Sequence, residues 1–368
     1  MTKAVRAIIA AGSMLLATGG STSTIAPVPS DPPSSAGAPS STALSLMTYN
    51  VAGLPWPIAS DRPQALTRIA ARLAALRRAG RQPHIVVLQE AFTPEAAAIA
   101  DRAGYANTAF GPDAAARAVT PASPDDRRYL QQARWDRGER WGKQLGSGLI
   151  ILSDYPIVWV DRMAFPDFAC AGFDCLANKG AVIAHLRVPG HLASVAVVDT
   201  HLNARKAAGV PLARSQEAYA RQVGLLAQFV AAHVAPDQAV LIGGDMNIGA
   251  DAARSRSFFA AFGQRRLTFV APELGGAQRA LGQTAVDDPR AHRDLLASTR
   301  RRKDWVFARL PGGRTMNVAR AQVPFGSERD GTTLSDHVGY VIDYGQDQAA
   351  PRPVALALND RSAPGGLR

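Results

Sequence analysis

Several short stretches carry side chains able to bind a metal ion or move a proton, each at the end of an apolar run. Asn50 closes Met47-Thr48-Tyr49-Asn50, and Glu90 closes Val87-Leu88-Gln89-Glu90. An amide oxygen and a carboxylate can share one hard cation, and Mg2+ suits that pairing because it takes few protein oxygens and keeps several waters. Taken singly, Asn50 also fits a turn and Glu90 a helix entry. His201 follows the run Val195 to Thr200, which leaves its imidazole at a strand end, although a lone histidine there equally serves as a structural hydrogen-bonder. Asp245 and Asn247 stand in Gly243-Gly244-Asp245-Met246-Asn247, where the glycines let the backbone turn closely and aim a carboxylate and an amide at one point. Asp336 and His337 precede a last apolar run from Val338, and a neighbouring carboxylate orients an imidazole and raises its basicity. Adjacent strand residues point oppositely, so that partnership needs a bend or a different carboxylate.

The elements that must position these groups are strands interspersed with helices. Apolar runs predict strands over Leu44 to Asn50, Ile85 to Leu88, Gly148 to Leu152, Ala181 to Leu186, Ser194 to Thr200, Ala239 to Ile242, Trp305 to Phe307 and Val338 to Ile342. Leu66, Ile69, Leu73 and Leu76 repeat at helical spacing after Pro63, as do Tyr219, Val223, Leu226 and Val230, so both segments read as helices with one buried stripe. Thr93-Pro94-Glu95 reads as a helix start. Strands and helices that mix without strict alternation indicate a sheet-rich α/β protein rather than a doubly wound one.

In this order the pieces resemble the endonuclease/exonuclease/phosphatase superfamily (DNase I-like), with its Asn, Gln-Glu, Thr-His, Gly-Asp-x-Asn and Ser-Asp-His motifs, from Leu44 to about Tyr344. The resemblance implies a four-layered α/β sandwich, two packed mixed β-sheets flanked by helices, with the active site at one edge. It makes Glu90 the principal Mg2+ ligand, helped by Asn50, with Mn2+ or Ca2+ as alternatives. His337 becomes the general base that activates water, with Asp336 its companion in the motif. Asp245 and Asn247 position the nucleophile or phosphate oxygens, and His201 acts on the phosphate side. Asp304, in Lys303-Asp304-Trp305-Val306-Phe307, matches an Asp-aromatic strand motif and reaches the metal site, unless it forms a surface ion pair beside Arg301 and Arg302. Phosphoester hydrolysis needs a cation against the phosphoryl oxygens, a base for water and stabilisation of the leaving oxygen, and this set offers a candidate for each.

Cys170 to Gly180, in which a cysteine loop precedes Asn178-Lys179-Gly180, resembles a segment of secreted neutral sphingomyelinases. It implies that Asn178 and Lys179 contact substrate, Lys179 as a point charge for phosphate, where the plain alternative is a solvated strand edge. Asn-Lys-Gly also occurs in inositol-polyphosphate phosphatases, so an inositol-phosphate-type phosphatase is a further reading. The expected activity is a secreted metal-dependent phosphodiesterase, sphingomyelinase- or phospholipase C-like, acting as a monomer on a phospholipid with peripheral membrane contact through Trp56 or the Trp135 and Trp141 region. Against it stands a secreted DNase I-like endonuclease, because Arg127, Arg128, Arg134, Arg137, Arg140 and Lys143 interleave with Tyr129, Trp135 and Trp141 as a nucleic-acid groove would. Asp125, Asp126, Asp136 and Glu139 dilute that pattern, and the same segment equally fits an anionic-lipid face or a plain solvated surface loop. A catalytically inactive binding protein is the third class, and intact Glu90, Asp245 and His337 argue against it.

The formal charge of +11, from 41 basic and 30 acidic residues, favours polyanionic partners without choosing among them. Residues 1–20, with Lys3, Arg6 and an apolar run from Ala7 to Ala17, read as an export leader too short to span a bilayer, which predicts a secreted or periplasmic protein. Residues 21–42 are a Ser/Pro/Thr-rich linker, 43–345 the catalytic domain and 346–368 a loose tail. Cys170 and Cys175 are the only cysteines, and in an oxidising compartment their spacing favours a disulfide over a zinc site, the alternative being two free thiols in a surface turn.

Overall fold

Two β-sheets lie face to face in the computed structural model, which describes residues 44–56, 58–286 and 288–345. The expected leader, linker and tail lie outside the described residues. The first sheet contains β1 (Leu44–Gly53), β2 (Ile85–Ala91), β3 (Asn107–Phe110), β4 (Ile150–Ser153), β10 (Val318–Phe325) and β11 (Gly339–Tyr344), in the order β10-β11-β1-β2-β4-β3. The second contains β5 (Ile157–Ala164), β6 (Gly180–Leu186), β7 (Val195–His201), β8 (Val240–Asp245) and β9 (Asp304–Arg309), in sequence order. The pairs β1/β2 and β7/β8 are parallel and the other pairings antiparallel, so both sheets are mixed.

Period-two alternation divides the core into layers. Leu44 and Leu46 of β1, Ile85 and Val87 of β2, Val195 and Val197 of β7, and Leu241 of β8 face the space between the sheets. Met47, Tyr49 and Val51 turn outward onto α1 (Arg62–Arg78), α2 (Pro94–Ala97) and α3 (Ile99–Ala103). Ala196, Val198, Val240 and Ile242 turn onto α5 (Leu212–His233) and α6 (Ala252–Gln264), while α4 (Pro124–Gln131) contributes Tyr129 to the same cluster. α7 (Gly276–Gly282) and α8 (Pro289–Arg301) add Ala277, Ala280 and Leu295 to the layer between the sheets. The result is the four-layered sandwich expected from the motifs.

Both amphipathic stripes form helices, with Leu66, Ile69 and Leu73 buried in α1 and Tyr219, Val223, Leu226 and Val230 in α5. The Thr93 hydroxyl caps α2 by accepting from Ala96 N. β3, β5 and β10 escaped the sequence reading, and each is a sheet edge. All three are partly wetted, and β5 and β10 have broken burial patterns with no clean alternation to read, unlike the edge strand β9, which is buried throughout. Among the described residues no helix is long and apolar enough to cross a membrane.

Gly244 permits the close pairing of β7 and β8. Its φ is +149°, and a Cβ there would lie 2.2 Å from Thr200 O, the residue opposite it in register. Gly244→Ala is therefore expected to reduce unfolding stability by about 1–3 kcal/mol through overpacking, measured by urea denaturation. An unchanged midpoint would mean that the strands part without cost.

Candidate active site

The same alternation that builds the inner layer carries four polar residues to one end of it. Asn50 continues the parity of Leu46, His201 that of Val197, Asp245 that of Leu241, and Asp304 that of Val306. Register then sets them side by side: His201 pairs with Asp245, and Asp245 with Asp304. Glu90 has the opposite parity but takes φ +54°, a costly conformation for a residue with a side chain. Its carboxylate nevertheless meets the group, accepting from Asn50 Nδ2 at 2.9 Å.

Asn50 Nδ2 also donates to Asp245 Oδ2 at 3.2 Å, while Asn50 Oδ1 accepts from Ala52 N at 3.0 Å. Its amide nitrogen, rather than the oxygen expected of a ligand, thus faces the carboxylates. The Asp245 carboxylate lies 3.6 Å from His201 Nε2 and 3.7 Å from His337 Nε2. Burial opposes its ionisation, but His337, His201, Lys303 and Lys179 outweigh burial and hold the acid down at about 2. Glu90 is pushed up, chiefly by burial.

His337 is oriented by Asp304, whose two oxygens lie 2.8 and 2.9 Å from Nδ1. This corrects the expected partnership with Asp336, whose side chain is 73% exposed and 4.0 Å from His337 Nε2. Asp336 instead faces Arg301, which donates to its carbonyl and approaches its carboxylate to 3.9 Å. Asp304 is buried, not a surface partner of Arg301 and Arg302. Burial alone would lower His337, yet Asp304 and Asp245 raise it to about 9.

Lys179, buried at the site, donates to Asp174 Oδ2 at 3.0 Å and to Leu202 O at 3.2 Å, and its Nζ lies 3.3 Å from His201 Nε2. Burial first and Lys179 second push His201 down to about 3, so His201 stands as a neutral ring and Lys179 supplies the positive charge. Asn247, at φ +46°, donates Nδ2–H to Leu202 O at 2.9 Å and lines the pocket. Asn178 is a correction: its Nδ2 donates to Asp113 O and Ala116 O at 2.6 and 3.0 Å, so it holds a loop rather than facing substrate. Cys170 and Cys175 form a disulfide. The loop that it closes carries Asp174, the partner of Lys179, which the sequence reading missed because nothing in its spacing marks it.

The donor set suits a hard divalent cation. Glu90 and Asp245 share one amide donor in a buried place, and among the described residues no Lys or Arg pairs directly with either carboxylate. On the other wall, ligand atoms of Asp245, Asp304 and His337 lie within 4.8 Å of one another, although the hydrogen bond at Nδ1 assigns Asp304 first to orienting the ring. Above these groups opens a pocket of about 530 Å³ walled largely by apolar residues, among them Leu54, Trp56, Ile58, Phe92, Leu145, Phe173 and Leu176.

A model described as the Endonuclease/Exonuclease/phosphatase family matches residues 47–337. Comparison with curated proteins returns no significant match. Among solved structures, the chain is similar to sphingomyelinase C from Streptomyces griseocarneus, at 20% identity and TM-score 0.55, over 83% of this chain and 100% of that one. It is similar to a mutant beta toxin from Staphylococcus aureus with bound magnesium ions, at 15% identity and TM-score 0.53, over 83% and 100% of the chains. D. rerio TDP2 complexed with single strand DNA product matches at 15% identity and TM-score 0.53, also over 83% and 100%. At these identities the likeness is one of fold.

Proposed function

Because the chain belongs to the endonuclease/exonuclease/phosphatase family, we propose that it is an exported, Mg2+-dependent phosphodiesterase of the sphingomyelinase or phospholipase C type. One observation carries the choice of substrate: the carboxylate and histidine cluster lies in a pocket of about 530 Å³ with mostly apolar walls. A phosphate-bearing head group on an apolar body fits such a place, and Phe92 and Phe173 among the walls suit a quaternary ammonium. Trp56, 79% exposed at the pocket, is placed to rest at a bilayer interface.

The basic segment favours the nuclease reading less. Arg128 pairs with Asp125, and Arg134 and Arg137 with Asp136. Tyr129 is buried beneath Arg214 and Arg221, so its ring is not offered to a base. The export reading rests on residues 1–20 and on the Cys170–Cys175 disulfide, which suits an oxidising compartment.

In this reading Glu90 and Asp245 would hold the ion. A bound dication would offset charge on the phosphoryl oxygens and favour ionisation of water. His337, held by Asp304, takes the proton of the attacking water at Nε2. Lys179 and Asn247 face the phosphate, and neutral His201 supports Asp245. The test incubates purified mature protein with Mg2+, Mn2+ or Ca2+, with and without EDTA, on sphingomyelin and phosphatidylcholine vesicles and on plasmid DNA. EDTA-sensitive release of phosphocholine without nicking is expected. Nicking without phosphocholine would move the chain to the nucleases, and neither product under any metal would overturn the enzymatic reading.

A further inference from the structure

Arg254 is a fully buried arginine that the catalytic reading leaves without a role. It sits in the first turn of α6, whose N-terminus Asp251 caps by accepting from Ala253 N and Arg254 N. A side chain there leans back toward the helix start, here into the two segments that leave β7 and β8. Arg254 Nη1 donates to Asn203 O at 2.7 Å and to Asn247 O at 2.9 Å. Nη2 donates to Ser215 Oγ at 2.7 Å, and the guanidinium lies 4.2 Å from the centre of the Tyr219 ring. Among the described residues no carboxylate pairs with it, so the fold keeps a buried charge on carbonyls, a hydroxyl and a ring alone, a costly arrangement for packing's sake.

The two carbonyls are informative. Asn203 lies two residues beyond His201, and Asn247 two beyond Asp245. The same segments are cross-braced by Asn247 Nδ2–H to Leu202 O at 2.9 Å and Leu202 N–H to Asp245 O at 3.0 Å, while Tyr219 O–H donates to Met246 O at 3.0 Å. The two N–H groups of Nη1 hold both carbonyls from one point, while Nη2 anchors the guanidinium on Ser215 Oγ. We propose that Arg254 is a positioning residue for phosphoester hydrolysis: by joining the segments after β7 and β8, it sets the approach of His201 to Asp245. Its kinetic part rests on the phosphodiesterase reading above. Its geometric part does not.

Arg254→Met, which fills the space without donors, and Arg254→Lys, which keeps charge and one donor group, would be compared with the full mature protein below their melting temperatures. Turnover with Mg2+ would be followed on phosphocholine lipids and on bis(p-nitrophenyl) phosphate, alongside Mg2+ titration calorimetry and 15N NMR of the histidine rings. Arg254→Met is expected to lower kcat about 100-fold, the scale of a remote misplacement of order 1 Å, with KM and Mg2+ affinity unchanged and the His201 ring signals shifted. Arg254→Lys is expected to recover part of both. Wild-type kcat and unmoved His201 signals in a folded Arg254→Met protein would overturn the proposal and leave Arg254 a plain brace. Should Arg254→Met not fold, Arg254→Lys decides by the same readouts. If the wild type hydrolyses neither substrate, the reading of function fails, and the His201 signals still decide whether Arg254 sets the geometry.

Discussion

His337→Asn is expected to lower kcat by about 10²–10⁴-fold, the range that a positioned general base contributes. Asparagine keeps an amide donor toward Asp304, so the buried carboxylate is not left bare and the loss reports chemistry rather than unfolding. Turnover within tenfold of wild type would remove His337 as the base. The same ring makes a pH statement. Its folded value, about 9, lies above the ordinary 6.5 because Asp304 and Asp245 outweigh burial. The bound proton therefore stabilises the metal-free fold fully below about pH 6.5, and that contribution is lost as pH rises through about 9. Denaturant midpoints of EDTA-treated protein should fall across that window, and fall less in His337→Asn. A base must first give up this proton, and a dication beside Glu90 favours the unprotonated ring. The His337 signals should accordingly titrate at lower pH with Mg2+ than without it. An unmoved titration would place the ion elsewhere.

Glu90→Gln should separate metal binding from folding. Partners of metal ligands cost about 10–100-fold in metal affinity when removed, so loss of the ligand itself is expected to weaken Mg2+ by more than about 100-fold and abolish turnover. The metal-free fold should respond in the opposite sense. Burial raises the Glu90 carboxyl above its ordinary value of 4.5, with the neighbouring Asp245 adding to it, so the ionised group costs stability as pH rises from about 4.5 through the folded value. Glutamine keeps the shape without the charge, and EDTA-treated Glu90→Gln should melt at or above wild type near neutral pH. Calorimetry showing wild-type Mg2+ affinity would count against Glu90 as the ligand.

Much of this site was legible from strand ends. A strand alternates with period two, so a polar residue that continues the inward parity of a buried run emerges between the sheets at the run's end. Asn50, His201 and Asp245 follow that rule, and their order along the chain carries the family resemblance. Edge strands β3, β5 and β10 obey no such rule, since partial wetting of both faces erases the alternation.

Partnerships were less accessible. Asp336 adjoins His337 in sequence, yet neighbouring side chains diverge, and the orienting carboxylate is Asp304, brought from another sheet. Asn178 and Lys179 look like one motif, but one holds the 113–116 loop and the other enters the site. Arg254 looked like any other arginine in a basic chain, and only α6 packing over the segments after β7 and β8 gave it two carbonyls to hold. Sequence by itself determined that Asn50, His201 and Asp245 reach the open end of the sandwich, because strand parity is a local property. Tertiary structure decided which of them pair, because hydrogen bonds at 2.8 Å join residues 33 apart only after both sheets have packed.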